Sequence, residues 1–174
     1  MYLPAEDSIF FADFLKDYFS RLKNKNIFYL DMGSGSGILS EIARKSNIKN
    51  IFAADIDDES IKFVRKKGLT IIKSDFFSKI SKNQKFDIIT FNAPYLPNHK
   101  FDKKPDTSGG KRGDEASLRF LRQAKAHLNK GGRIFLLISS LTPYNKIEKF
   151  NPKIVARKKL FFEELLILEF GNSN

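Results

Sequence analysis

Apolar residues recur at helical spacing near the start of the chain. Either Asp7 or Ser8 can cap the first turn of this segment, and the pattern predicts an amphipathic helix over residues 8–23. The apolar face of the predicted helix consists of Phe11, Phe14, Leu15, Tyr18 and Leu22.

Beyond residue 27, apolar runs typical of strands alternate with helical patterns. This rhythm favours a parallel sheet that is covered by helices on both faces. The last two strand-like runs, 153–162 and 164–170, have no room for a crossover helix between them, so we expect an antiparallel pair. The other predicted strands are 27–31, 51–55, 69–72, 86–91 and 133–138, and the predicted helices are 38–45, 59–66 and 115–129.

Residues 96–114 form the clearest loop of the sequence. They contain two prolines, three glycines and no apolar periodicity, and loops of this length inside a compact domain are usually functional. We find no repeat and no linker, so residues 1–174 are predicted to form one α/β domain.

Composition narrows the possible chemistry. The chain of 174 residues has no cysteine, which excludes a thiolate nucleophile and Cys-ligated zinc. Its two histidines, His99 and His127, are isolated in the sequence, so no metal site is predicted. The net charge of +11 suits a polyanionic partner, but it is equally typical of a solvated lysine-rich surface. No apolar run approaches the ~20 residues of a membrane span, and the opening residues do not resemble a signal peptide, so we expect a cytoplasmic protein without a membrane segment.

A glycine-rich turn, Asp31-Met32-Gly33-Ser34-Gly35-Ser36-Gly37, lies between the first predicted strand and the next helix. Such a turn lets the backbone approach a ligand closely and points the helix N-terminus at it. Asp31 would repel a pyrophosphate and attract a cation, so S-adenosylmethionine fits the site better than NAD. The alternative is a purely structural turn.

Acidic residues also follow the second and third predicted strands. Asp55, with Ile56 after it, can accept hydrogen bonds from both ribose hydroxyls, while Asp75 can accept one from an adenine amino group and Phe76 can flank the ring. Asp75 alone is equally typical of a turn. Because ligands of open α/β sheets bind at the carboxyl ends of the strands, the combination predicts a cofactor site.

The fourth predicted strand leads into Asn92-Ala93-Pro94-Tyr95. Asn92 Oδ1 and the Ala93 carbonyl can each accept a hydrogen bond from a planar NH2 group and hold its nitrogen towards a methyl donor. We therefore predict that Asn92, Pro94 and Tyr95 are catalytic residues and that Ala93 binds the substrate with them. The alternative is that these residues form a turn before proline with a structural role only.

Together these residues resemble class I S-adenosylmethionine-dependent methyltransferases, and more narrowly the HemK-related enzymes that methylate a glutamine of peptide-chain release factors. Asn92 to Tyr95 is similar to the family's Asn-Pro-Pro-Tyr. Two further segments, Tyr2-Leu3-Pro4-Ala5-Glu6-Asp7-Ser8 and Gly109-Gly110-Lys111-Arg112-Gly113, are similar to motifs of its archaeal and eukaryotic branch. The resemblance covers essentially the whole chain, with two departures: Asp31 stands where the family more often has Glu, and Ala93 replaces the first Pro.

The resemblance implies a Rossmann-like fold with a seven-stranded, mostly parallel sheet of order 3-2-1-4-5-7-6 and an antiparallel last strand. The substrate would be the glutamine of a Gly-Gly-Gln motif in a release factor. It also implies a heterodimer with a small zinc-ribbon activator protein, which would add a strand along the edge strand Leu69 to Ile72. The cofactor, S-adenosyl-L-methionine, would be bound by Ser8, Asp31, Gly33, Gly35, Gly37, Asp55, Ile56, Asp75, Phe76 and Asn92.

Three other functions remain open at this point. The same Asn92 motif can present an adenine amino group, so the chain could methylate DNA or RNA. A lysine-modifying methyltransferase is a weaker alternative, because the lysine ammonium must first lose a proton. The chain could also be a non-catalytic, cofactor-binding subunit.

Overall fold

The computed structural model describes residues 5–95 and 113–171. Seven of its strands form one sheet, in the order β3-β2-β1-β4-β5-β7-β6. The helices are α1 (Glu6–Arg21), α2 (Ile38–Lys45), α3 (Asp58–Lys66) and α4 (Glu115–Ala124). The strands are β1 (Phe28–Met32), β2 (Asn50–Asp55), β3 (Ile71–Lys73), β4 (Phe86–Asn92), β5 (Leu128–Ser139), β6 (Lys153–Lys159) and β7 (Glu164–Gly171).

The strand directions agree with the sequence analysis. Strand β1 pairs in parallel with β2 and with β4, and β7 pairs antiparallel with both β5 and β6. The expected strand order and the antiparallel C-terminal pair are thus confirmed.

The sheet is covered on both faces because successive strand residues point to opposite sides. Leu30 and Ile89 belong to a core that includes residues of α4, whereas Tyr29 and Ile88 belong to a second core that includes residues of α1 and α2. Two-sided burial explains why these strands are almost continuously apolar.

Most elements differ from their predicted bounds by at least one residue, and β5 begins five residues before its predicted start. Two helix boundaries show the physical reasons. Helix α1 begins two residues before the predicted start, so Asp7 and Ser8 lie inside the helix, and Ala5 at the N-cap position has no side-chain cap. Helix α4 ends at Ala124 and not at Asn129, because β5 begins at Leu128. Asn129 Nδ2 donates to Asp87 Oδ1 at 2.8 Å, a contact that holds this segment against β4.

Strand β3 is the outer strand that was expected, but its apolar side chains are covered. Leu69 and Ile71 are buried in a small core with Ile61 and Val64 of α3. The outer position of the strand is therefore confirmed, whereas its predicted bounds, 69–72, are wrong because the strand begins at Ile71 and ends at Lys73.

Some predicted features lie outside the described residues. These are residues 96–112 of the predicted loop, residues 2–4 of the N-terminal motif, and residues 109–112 of the second motif. Within the described ranges, none of the helices has the length and hydropathy needed to cross a membrane.

Candidate active site

A cleft of about 280 Å³ lies at the carboxyl ends of the parallel strands. It opens where the strand order reverses between β1 and β4, the position at which open α/β sheets bind ligands. The residues predicted from sequence that line it are Ser8, Asp31, Gly33, Gly35, Asp55, Ile56, Asp75, Phe76, Asn92, Ala93, Pro94 and Tyr95.

Gly37, which was predicted to bind the cofactor, does not line the cleft. It is the N-cap of α2 with φ 74°, and a Cβ there would lie 3.0 Å from Val64 Cγ2. Its place in the motif is therefore explained by left-handed backbone and by close packing of α2 against α3.

The glycine-rich turn follows β1 and borders the cleft. Gly33 has φ 61°, and a Cβ at this position would lie 2.9 Å from Phe91 Cε2. The hydroxyl of Ser34 is buried without a hydrogen-bond partner among the described residues. Close packing around the backbone and an unpaired polar atom are features of a ligand cradle.

Asp55 connects this turn to the end of β2. Its Oδ2 accepts a hydrogen bond from Gly35 N at 2.7 Å, and its Oδ1 accepts one from Asp57 N at 2.9 Å. Burial raises the pKa of the carboxyl group, and these backbone donors oppose that effect. Each oxygen keeps a lone pair, so the carboxylate can also accept from two ribose hydroxyls.

Asp75 has a partner that the sequence did not reveal. Arg119 Nη2 donates to Asp75 Oδ2 at 2.6 Å, and the same guanidinium lies 4.9 Å from the centroid of the Phe76 ring. The ring also contacts Phe91 edge to face at 5.6 Å. Arg119 thus fixes the orientation of both residues predicted to contact adenine.

Asp31 is almost completely buried beneath the glycine-rich turn. Its Oδ2 accepts from Ser40 N at 3.1 Å and from Ser40 Oγ at 2.7 Å. Burial raises the pKa of the carboxyl group to about 7, Ser40 acts in the opposite direction, and the charge of Asp55 adds to the rise. A cation bound in the cleft would favour the ionised form.

Asn92 has one end of its amide occupied and the other end unpaired. Its Nδ2 donates to Ser8 Oγ at 3.2 Å and to Asp7 Oδ2 at 3.3 Å, whereas Oδ1 is buried without a partner among the described residues. A carboxylate can only accept hydrogen bonds, so Asp7 keeps the amide nitrogen on its side. Oδ1 is consequently the acceptor that remains for a ligand.

Asp7 is therefore the site residue that sequence reasoning missed. It was interpreted as a helix cap, and Ser8 as a cofactor ligand, yet both residues contact the Asn92 amide. The signal in the sequence was that Asp7 and Ser8 are the last two residues of the motif Tyr2 to Ser8. The structure shows that both polar side chains are buried in α1.

The cleft fits S-adenosylmethionine. Asp31 supplies a negative charge for a cationic ligand, Asp55 offers acceptors for a ribose, and Phe76 offers an apolar ring for an adenine. The buried hydroxyl of Ser34, which has no partner among the described residues, lies on the same wall. The described residues contain no group of three or more side chains suited to hold a metal ion.

Sequence comparisons agree with this geometry. The profile of the methyltransferase small domain matches residues 12–164. A Methanocaldococcus jannaschii protein with the provisional name protein N5-glutamine methyltransferase is 36% identical over 97% of this chain and 90% of its own length. A release factor glutamine methyltransferase of Rhodopirellula baltica is 28% identical over 64% of this chain, but over only 44% of its own length. The eRF1 methyltransferase catalytic subunit of Schizosaccharomyces pombe is 25% identical over 79% of this chain and 71% of its own length.

Solved structures share the fold at low sequence identity. The ribosomal protein L11 methylase of Lactobacillus delbrueckii has a TM-score of 0.68 at 22% identity, covering 98% of this chain and 81% of that one. A T. thermophilus 16S rRNA methyltransferase, solved with AdoMet and guanosine, has a TM-score of 0.66 at 20% identity, covering 97% and 44%.

The contact between Asp7 and Asn92 predicts a selective catalytic defect. An Asp7→Asn side chain can present either a donor or an acceptor to Asn92, so the orientation of the Asn92 amide is no longer fixed. We expect turnover to fall by roughly 10- to 100-fold, the range of a misplaced reacting group, while cofactor affinity stays within about twofold. Steady-state kinetics and calorimetry measure the two effects. Asp13→Asn, on an exposed position of the same helix, is the matched control, and a loss of cofactor affinity without a loss of turnover would contradict the assignment.

The raised pKa of Asp31 predicts opposite pH effects on stability and on cofactor binding. Between its ordinary value of 3.8 and about 7, the folded protein holds a proton that the unfolded chain has lost, so this group's contribution to stability falls as pH rises through that window. Asp31→Asn should therefore raise the free energy of unfolding most above pH 7. It should also weaken cofactor binding about tenfold at pH 8 and remove the rise in affinity between pH 5.5 and 8. Urea unfolding and calorimetry at these pH values test both effects, and an unchanged pH profile in the variant would exclude Asp31 as the group responsible.

Proposed function

Because the chain belongs to the methyltransferase small domain family, we propose that it methylates the side-chain amide nitrogen of the glutamine in the Gly-Gly-Gln motif of a peptide-chain release factor. The chain is an S-adenosylmethionine-dependent methyltransferase, and relatives that it matches are named for the glutamine reaction. The observation that carries the substrate proposal is the buried, unpaired Oδ1 of Asn92 at the mouth of the cofactor cleft. A primary amide supplies the N–H donor that this oxygen lacks.

The residues of the site act mainly by positioning. Asp7 and Ser8 hold the Asn92 amide, and Oδ1 accepts one N–H of the substrate amide; the Ala93 carbonyl is proposed to accept the other. Pro94 restricts Ala93 to extended backbone, which preserves part of the rigidity of the family's double proline. Two acceptors on the N–H bonds direct the nitrogen lone pair at the methyl donor.

The bound cofactor supplies an electrophilic methyl group. With the cofactor bound, the substrate nitrogen would accept the methyl group, the cofactor's thioether would be the leaving group, and the nitrogen's proton would pass to water afterwards. The described residues around Asn92 include no histidine or cysteine as a base, and this reaction requires none before attack.

We also propose that the enzyme works in the cytoplasm during translation termination, as a heterodimer with a small zinc-ribbon protein. The S. pombe relative is named a catalytic subunit, a term for a protein that acts with another subunit. The open hydrogen-bonding edge of β3 is the proposed docking strand, at the end of the sheet order. The side chains of Leu69 and Ile71 are already covered by α3. The contact with the partner would therefore be made mainly by backbone hydrogen bonds.

The first test measures labelled methyl transfer, with the zinc-ribbon protein present, to the release factor, to its Gly-Gly-Gln→Gly-Gly-Ala variant, and to adenine-containing RNA and DNA. We expect label on the unmodified factor only. Asn92→Ala should abolish turnover and leave cofactor affinity nearly unchanged, whereas Asp55→Ala should weaken cofactor binding by about 10- to 100-fold, the range for hydrogen bonds to a charged group. Label on nucleic acid alone would replace the glutamine proposal by the adenine alternative, and the reverse pattern in the two variants would mean that their roles are exchanged.

The heterodimer has its own test. Co-expression with the zinc-ribbon protein should give a complex of one copy each by light scattering. Thr70 O and Ser74 N bond to β2, so the N–H of Lys73 faces the outer edge, and Lys73→Pro should prevent the complex by removing that donor. A chain that is monodisperse and fully active alone would contradict the proposal. Thermal unfolding of the isolated Lys73→Pro chain distinguishes lost pairing from lost folding.

A further inference from the structure

The turn between β6 and β7, residues 160–163, carries the most exposed large apolar side chains of the described residues. Phe161 is 92% exposed and Phe162 is 87% exposed, and their rings meet edge to face with centroids 4.6 Å apart. Adjacent aromatic side chains that are left in solvent mark interaction sites, because aromatic anchors contribute a large share of binding energy.

The turn lies at the same edge of the sheet as the active site. Strand β7 runs antiparallel to β5, with Leu165 opposite Ser139, so the turn stands at the carboxyl end of β5. Two or three strand spacings separate it from β4, which places it about 10–15 Å across the sheet from the strand that ends in Asn92. Leu141, 57% exposed just after β5, lies at this edge as well.

The backbone of the turn is fixed before any partner binds. Leu160 N donates to the Glu163 carbonyl at 2.8 Å, and Ser140 N donates to the Glu164 carbonyl at 2.7 Å. Ser139 Oγ donates to the Glu163 carboxylate. A rigid turn presents its aromatic side chains at a low entropic cost of binding.

The charged side chains at the turn have a net charge of +1, since Arg157, Lys158 and Lys159 stand against Glu163 and Glu164. Glu164 is paired with Arg157 at 3.0 Å, and Glu163 accepts a hydrogen bond from Ser139. Lys158 and Lys159 immediately precede the turn, and Lys159 is exposed. The surface therefore complements an apolar pocket that is bordered by acidic residues.

We propose that this turn is the docking surface for the protein that presents the substrate glutamine; the inference rests on the proposed function. The acceptors at Asn92 recognise an NH2 group that every glutamine possesses, so contacts outside the cleft must select one protein. The turn lies at the right edge and distance to make such contacts. The docked region of the substrate protein is an apolar pocket with an acidic border, into which Phe161 and Phe162 insert.

Exposed aromatics beside lysines can also bind single-stranded nucleic acid. Two features favour a protein partner here. The rings contact each other edge to face at a separation that leaves no room for a base between them, and they stand at the tip of a turn and not on an open sheet face.

The test compares the whole release factor with a short peptide that contains Gly-Gly-Gln, using the double variant Phe161→Ser/Phe162→Ser. Both side chains are almost fully exposed, so their removal leaves no cavity and the unfolding midpoint should not fall. We expect kcat/KM for the whole factor to fall tenfold or more through KM, while kcat/KM for the peptide stays within about twofold. Lys159→Glu should lower kcat/KM for the whole factor in the same direction, and this loss should shrink at high salt.

The control is Phe150→Ala. Phe150 is 36% exposed and lies near the start of β5 and the end of β7, which is the opposite edge of the sheet from the turn. It should leave KM for the whole factor unchanged. All assays contain the zinc-ribbon protein, and a wild-type enzyme that then methylates neither substrate refutes the proposed function itself. If the wild-type enzyme is active, three results for the double variant would overturn the docking surface alone. The variant would keep its KM for the whole factor, lose activity equally on the peptide, or lose only affinity for RNA.

Discussion

A parallel sheet that is buried on both faces accommodates charged side chains most readily where its strands end. In this protein the middle of β1 and β4 is largely apolar, and the buried hydroxyl of Thr90 is paired with the Tyr29 hydroxyl at 2.6 Å. Asp31, Asp55 and Asn92 stand at the last positions of their strands or next to them. Parallel pairing brings all three ends to one edge of the sheet. The site is therefore a consequence of strand direction, and the glycine-rich turn, the helix starts and the cleft are arranged around it.

Burying these polar groups destabilises the folded protein unless each has a partner. Asp55 receives backbone donors from Gly35 and Asp57, and Asp31 receives both donors of Ser40. The compensation is incomplete, since the pKa of Asp31 is raised to about 7 and Asn92 Oδ1 has no partner among the described residues. Unsatisfied groups of this kind persist in binding sites because the bound ligand supplies the missing hydrogen-bond donor or opposite charge.

Patterns in the sequence were sufficient to predict those elements and site residues that depend on neighbours along the chain. The apolar periodicity gave α2 its observed bounds, and the run of acids and glycines after successive strands gave most of the cleft. The strand order was expected from the resemblance and not from periodicity, since pairing partners leave little trace in a single sequence. Asp7 was misread because a first-turn acid is normally explained by its own helix, whereas its partner Asn92 lies 85 residues away.

The same limit applies to Arg119, which is the partner of Asp75, and to the end of α4. Arg119 reads as an ordinary exposed helix residue, and only the tertiary fold brings its guanidinium to Asp75 and Phe76. The end of α4 was misplaced because the pairing of Leu128 with Phe86 overrides a helical pattern that continues in the sequence.

The sheet order also separates the two proposed interfaces. Strand β3 and strand β6 are the two outer strands, and the cleft at β1 and β4 lies between them. A partner that extends the sheet at β3 would add its strands beyond the cofactor-binding side, where β2 ends in Asp55 and Asp75 follows two residues after β3. The turn after β6 would remain open beyond the substrate-binding side, where β4 ends in Asn92. A stabilising subunit and a substrate protein can therefore bind at the same time, because the strand reversal that creates the cleft also places their surfaces at opposite ends of the sheet.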